Sequence, residues 1–175
     1  METLQAIARR KSIREYKPEQ ISELALDTIL GAGCAAPVGM AAYEAIHLTV
    51  LQNSDLLKRI SQSAAVLMNR PGYDLFYGAP TVIIVSAQAG AFPNIEIANA
   101  AIILENICIA ATDFNLGSVF VWGTALILQA EPDLMQELKL PTGFAPVASV
   151  ALGSPAVPDP QEKNLKQKTI AITRI

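Results

Sequence analysis

The stretch from residue 94 to 114, NIEIANAAIILENICIAATDF, constrains this chain more than any other. Apolar residues fall on nearly every side of a helix drawn through it, so that helix has little solvent face to spare and belongs in the middle of a layered fold. Asn99, Asn106 and Asp113 break the pattern, recurring every seven residues with Ile102 and Ile109 between them on the same stripe. A buried polar group without a partner costs on the order of 1–3 kcal/mol. The stripe therefore needs partners, which intrachain hydrogen bonds, a subunit seam or the wall of a cofactor site could each supply.

Capping and periodicity place the other elements. Helices are predicted over LQAIARR with Thr3 as cap, over ELALDTILGA with Ser22 as cap and Pro37 as stop, over DLLKRISQSAAVLMN opened by Asn53 or Ser54, and over PDLMQELKL stopped by Pro141. Asn115 and Gly117 suit the C-terminus of the long helix. Strands are predicted at AIHLTVL, TVIIVSA, SVFVW and PVASVAL, with a final alternating strand at TIAITRI. RPGYDLFYGAP reads as the longest mobile loop, and SPAVPDPQEKNLKQK as a polar, proline-rich crossing. Two helices come first and strands are few, which favours a three-layer mixed α+β sheet over a regular βαβ wind. Residues 1–175 read as one domain.

Hydrophobic residues make up 51% of the chain and charged residues 17%. That surplus points to an oligomer interface. The runs APTVIIVSA and SVFVWGTALIL are shorter than the roughly 20 residues of a membrane span, and METLQAIARRKS lacks the features of a signal peptide, so a soluble, cytoplasmic protein is expected. Cys34 and Cys108 have neither CxxC spacing nor a histidine cluster and are expected to be small core residues. A net charge of −3 disfavours broad nucleic-acid binding.

His47 is the single histidine, placed mid-strand without a nucleophile elbow, so a catalytic triad is not supported. One histidine without a paired acidic cluster does not build a usual metal shell either. GAGCAA at 31 to 36 matches a dinucleotide fingerprint, yet it follows a helical pattern and runs into Pro37 instead of joining a strand to a helix. An enzyme built on this chain must borrow its chemistry from a cofactor.

RRKSIREY, residues 9 to 16, concentrates four cations in an acidic chain. Arg10 and Arg14 lie four apart with Ser12 between them, and two guanidinium forks with a hydroxyl suit a terminal phosphate. A solvated basic face at a helix C-terminus accounts for the same residues.

RRKSIREY, PEQISELALDTILGAGCAAP, AIHLTVL, YGAPTVIIV, LENICIAATDFNLGSVFVWG and LGSP, in this order over nearly the whole chain, resemble the FMN-dependent nitroreductase family. The resemblance implies a three-layer α/β/α fold whose mixed, mainly antiparallel sheet surrounds a central helix. It also implies a homodimer with two FMN sites at the subunit interface. Arg10, Lys11, Ser12 and Arg14 would hold the FMN phosphate and ribityl chain, with Lys163, Lys166 or Lys168 as a late cation. Pro37, Val38 and Gly39 would pack on the flavin ring, Asn69 would lie near it, and the Trp122 and Gly123 amides would approach its N5 edge.

An exposed pocket roofed by Tyr73, Phe76 and Tyr77 is implied above the ring. NAD(P)H would deliver hydride to the flavin, then leave in favour of a nitroaromatic, quinone or similar acceptor, so no side chain need be catalytic. The family usually carries Pro-Ser and a polar Asn where this chain reads APVGM. That departure supports a second reading, a flavin-binding or interaction module without turnover.

Overall fold

The computed structural model describes residues 1–90, 92–157, 159 and 161–175. Its elements, in order, are α1 (Thr3–Arg9), α2 (Glu23–Cys34), β1 (Ile46–Leu51), α3 (Ser54–Leu67), β2 (Thr81–Ala87), α4 (Ile95–Asp113), β3 (Gly117–Val121), α5 (Gly123–Ala130), α6 (Pro132–Glu137) and β4 (Ala145–Gly153). The strands form one sheet in the order β1-β2-β4-β3, and all three ladders are antiparallel. The parallel component expected of a mixed sheet reduces to one isolated bridge, Ser12 to Ser118, at the β3 edge.

Period-two alternation divides the sheet between two apolar clusters. Ile83 and Val85 of β2 with Ala148, Val150 and Leu152 of β4 face α2 and α4. Val82, Ile84, Val119, Val121 and Ala151 face the opposite way, toward α3, α5 and α6. Three layers result, with α4 as the principal helix of one outer layer. Gly33 lets α2 approach α4 closely, since a Cβ there would stand 2.9 Å from Ile107 Cγ1. Both glycines of GAGCAA lie inside the last turns of a helix, and Gly33 serves packing, in agreement with rejecting the dinucleotide motif.

Helix α4 is long and apolar enough to cross a membrane by length and composition, with a mean hydropathy of 1.5. The runs weighed from sequence left it out. Here Ala100, Ile103, Leu104, Ile107 and Ala111 are buried against the sheet and α2, which makes it a core helix. Its polar stripe resolves into intrachain contacts. Asn99 accepts a hydrogen bond from the Gly39 N–H at 2.9 Å, Asn106 donates to the Ala32 carbonyl at 3.1 Å, and Asp113 pairs with the Met1 amino group at 2.6 Å.

Helix ends follow the local chemistry with one correction, at α1. Ser22 caps α2 through the Ala25 N–H, and Asn53, not Ser54, caps α3 by accepting from Asp55 and Leu56. Helix α1 has Glu2 at its N-cap without a side-chain bond, so Thr3 lies inside the helix and is not its cap. Asn69 and Asn115 end α3 and α4 in the left-handed region, at φ 49° and 57°. In both, the next amide bonds back across the last turn, Arg70 to the Ala65 carbonyl and Leu116 to Ala111.

Four expectations fail. Helix α5 was not read, because GTALILQA continues the apolar run of β3 and has neither a side-chain cap nor an acid in its first turn. The loop RPGYDLFYGAP is pinned rather than free. Asp74 accepts from Ser61 Oγ and from the amides of Phe76 and Gly78, while Leu75 and Phe76 are buried. The segment TIAITRI joins no ladder within the chain and leaves Ile170 and Ile172 exposed. Cys34 is exposed, whereas Cys108 is buried as expected.

Candidate functional site

The basic stretch leaves α1 and becomes extended, bridging Ser12 to Ser118 while the Ile13 N–H donates to the Ser118 carbonyl at 3.0 Å. Alternation along an extended chain sends Arg10, Ser12 and Arg14 to one side and Lys11 and Ile13 to the other. Arg10 Nε lies 3.5 Å from Glu105 Oε1. Arg14 has no ion pair among the described residues; its guanidinium sits over the Tyr77 ring at 5.8 Å.

Lys11 departs from the expected group. It lines a cleft of about 360 Å³ with Arg9, Ile13, Lys17 and Asn115, and its ammonium pairs with Asp159 at 2.6 Å. That contact holds the Asp159 carboxyl below its usual range.

Among the late lysines the fold brings Lys163 to the basic stretch, its N–H donating to the Ala8 carbonyl at 2.9 Å. Burial, then the positive charge of Arg10, lowers the Lys163 ammonium below its ordinary value. Lys166 and Lys168 are exposed and engage only their own turn, through Asn164 and Leu165. Arg10 and Lys163 share Glu105 as a nearby carboxylate, and Arg14 has no carboxylate partner among the described residues. This excess of donors and positive charge fits a dianionic phosphate. Glu105 and Asp159 were missed from sequence because each is a lone acid far along the chain, with no local motif.

The remaining candidates lie elsewhere. Val38 is only 9% exposed and packs into the α2–α4 core, so its side chain cannot line a ring. Pro37 is exposed, and Gly39 lines a cleft of about 310 Å³ with Met40, Ile95, Glu96 and Asn99. The Gly39 N–H is already spent on Asn99. Met40 and Ala41 both adopt positive φ, 59° and 55°, a strained choice for residues with a Cβ.

Trp122 is exposed at the start of α5 and shares a cleft of about 280 Å³ with Glu96, Ile97 and Leu126. Gly123 begins that helix, whose first-turn N–H groups have no side-chain cap. Asn69 is exposed at the end of α3, where its backbone role as a cap accounts for it.

Of the expected pocket roof, Tyr73 and Tyr77 form an edge-to-face pair with centroids 6.5 Å apart, and Arg70 lies over Tyr73 at 4.4 Å. Phe76 is 2% exposed and belongs to the core under α3. The residue borders a cleft of about 530 Å³ with Tyr73 and Asp74 from within the core and does not project as a roof. His47 stacks edge-on against Phe144 at 6.0 Å, as a structural strand residue would.

An antiparallel sheet between helical layers, with a cationic face only partly neutralised by Glu105 on an extended segment at its edge, defines a domain suited to an anionic cofactor. The chain belongs to the nitroreductase family, whose model matches residues 7–154. It is similar to a nitroreductase with bound FMN from Desulfitobacterium hafniense DCB-2, at 27% identity and a TM-score of 0.83, covering 99% of this chain and 100% of that one. A nitroreductase with bound FMN from Bacteroides fragilis NCTC 9343 superposes with a TM-score of 0.82 at 29% identity, again covering 99% and 100%. A Methanothermobacter thermautotrophicus protein, provisionally named NADH dehydrogenase/NAD(P)H nitroreductase, is 28% identical over 159 residues, which is 89% of this chain and 78% of that protein.

Proposed function

We propose that this chain is an FMN-dependent oxidoreductase. It takes reducing equivalents from NAD(P)H and passes them to a nitroaromatic, quinone or similar acceptor by a ping-pong mechanism, acting in the cytoplasm as a single-domain homodimer. The observation that carries this reading is the face formed by Arg10, Ser12 and Arg14 with Lys163 near Arg10, where Glu105 is the one paired acid among the described residues.

When bound, FMN would supply the two-electron chemistry. Arg10, Arg14 and Lys163 would neutralise its phosphate, and Ser12 would offer a hydroxyl donor. Lys11 contributes less than the sequence suggests, because its charge is engaged by Asp159. Trp122 and Gly123 would offer the uncapped amides of α5 to the flavin, since a helix N-terminus favours negative charge. Tyr73 and Tyr77 flank the open side, and Asn69 offers a polar side chain from the end of α3.

Two features support assembly from two protomers. Gly39 and Trp122 both border Glu96, whereas Arg10 reaches Glu105, nine residues and about 14 Å further along α4. On this reading Pro37 and Gly39 of one protomer reach the cofactor held by the basic segment of the other. Ile97 and Ile102 on α4, Leu126 on α5 and the unpaired segment at 169–175 also leave apolar surface for a partner to cover.

The test is an absorbance spectrum of the purified protein. Flavin bands that bleach with NADH or NADPH and return with a quinone are expected; protein that stays colourless after incubation with FMN rejects the reading. The strained, non-polar APVGM segment favours one alternative, a flavin-holding module without turnover. Flavin bands that neither nucleotide bleaches would select that alternative.

A further inference from the structure

After β4 the chain runs back along the basic stretch in the opposite direction. The Lys17 N–H donates to the Ser154 carbonyl at 2.9 Å, Pro155 bridges Tyr16, and the Ala156 N–H donates to Glu15 at 3.0 Å. Further on, Lys11 pairs with Asp159, Gln5 Nε2 donates to Glu162 Oε1 at 3.3 Å, and the Lys163 N–H reaches Ala8. Residues 154–157, 159 and 161–163 thus lie as a strap running antiparallel to the segment from 17 back to 5. Between the bonds at Ala156 and at Glu162, the one side-chain tie to the basic stretch among the described residues is Lys11–Asp159.

We infer that Asp159 is a positioning residue for cofactor binding: by pinning the strap through Lys11, it seats Lys163 among the cations that hold the phosphate. The inference rests on the flavin reading of that face and deepens it. It also explains two residues that reading leaves idle. Lys11 points away from Arg10, Ser12 and Arg14 because its partner is the strap. An acid is kept beside an anion-binding face because its charge is spent on Lys11, as its depressed pKa reflects.

Asp159 differs from a bystander charge in the sign of its effect. A free carboxylate near a phosphate repels it, so a simple Coulomb effect predicts that Asp159→Asn tightens FMN binding. Positioning predicts the reverse. An exposed ion pair accounts for roughly a two- to fivefold change in an equilibrium constant. Asp159→Asn should therefore raise the FMN Kd by about that factor, read by flavin fluorescence quenching, and Asp159→Glu should restore it.

In a Lys163→Gln background the Asp159→Asn effect should vanish, because the residue to be positioned is gone. In flavin-free protein the Lys163 amide, bonded to Ala8, should exchange hydrogen several-fold faster in Asp159→Asn than in the parent. Tighter FMN binding in Asp159→Asn, an undiminished effect in the Lys163→Gln background, or unchanged exchange at Lys163 would each overturn the inference. If the parent binds no FMN, the flavin reading fails, and the exchange experiment still decides whether Asp159 pins the strap.

Discussion

Asn99 Oδ1, on the long apolar helix α4, accepts the backbone N–H of Gly39 at 2.9 Å across sixty residues of chain. The contact ties α4 to the segment after α2, and Asn99 is buried. Gly39 makes it possible, since a Cβ there would stand 2.7 Å from Ile95 Cδ1. Replacing Asn99 with Leu leaves the Gly39 N–H without its acceptor, which costs about 1–3 kcal/mol. The urea midpoint should fall accordingly; an unchanged midpoint would mean that water replaces the acceptor.

What the sequence reveals, and what it hides, divides along the same line. The recurrence of Asn99, Asn106 and Asp113 is local and legible, but their partners Gly39, Ala32 and Met1 lie far away in the chain, and no periodicity names them. Strand faces and most helix caps were legible because each depends on neighbours within a turn. Helix α5 was not, because its entry from β3 carries no cap chemistry. In the candidate site the spacing of Arg10, Ser12 and Arg14 was visible. The choice of Lys163 over Lys166 and Lys168 required the strap, a product of tertiary packing.

Phe76 and Tyr77 are adjacent but should respond in opposite ways. Phe76 is in the core below α3, so Phe76→Ala should cost about 3–5 kcal/mol through lost burial and the cavity left behind. Tyr77 is half-buried and lies under Arg14, so Tyr77→Ala should cost about 1 kcal/mol at most. Tyr77→Ala should also loosen Arg14 and weaken FMN binding. Chemical unfolding of both variants beside an FMN titration of the Tyr77 variant checks this, and equal stability losses would contradict it.

Arg14 and Arg9 separate charge from geometry. Arg14 shares the Arg10–Ser12 side of the extended segment, whereas Arg9 donates to Asn115 Oδ1 at 3.2 Å and lines the cleft that also holds Lys11. A lost charged hydrogen bond is worth about 1.5–3 kcal/mol. Arg14→Ala should therefore raise the FMN Kd at least tenfold, while Arg9→Ala stays within about twofold. Equal effects in fluorescence titrations would show that the stretch acts by bulk charge.

The two cysteines predict a pH response. Cys34 is exposed, and Cys108 is 3% exposed, with burial pushing its thiol up to about 11 against the neighbouring Ser118 hydroxyl, which pulls it down. In native protein at pH 8, Ellman's reagent should titrate one thiol quickly and the second only on unfolding. Above pH 9 the unfolded chain releases the Cys108 proton while the folded chain retains it. The unfolded state then binds fewer protons, and stability falls between about pH 9 and 11. Burial also raises the Tyr16 hydroxyl, which adds a loss of the same sign at higher pH. Urea midpoints measured across that window should decline less steeply in Cys108→Ala than in the parent.

Ile102 tests the homodimer. It is 41% exposed on α4, beside exposed Ala98 and Ala101 and about one and a half turns from exposed Ile97, so a helix apolar on its core side keeps an apolar strip on its outer side. An Arg at this position can reach solvent in a lone protomer and costs the fold little. In a dimer closed across α4 it would place a cation in a desolvated seam, where an unpaired charge costs several kcal/mol. Light scattering should give the parent twice the chain mass of 18.7 kDa and Ile102→Arg close to one chain mass, with unchanged helical circular dichroism. FMN should be lost in parallel, because Pro37 and Gly39 of the second protomer leave with it. A variant that stays dimeric places the interface on another face, and a monomer that keeps its flavin shows the site to be complete in one chain.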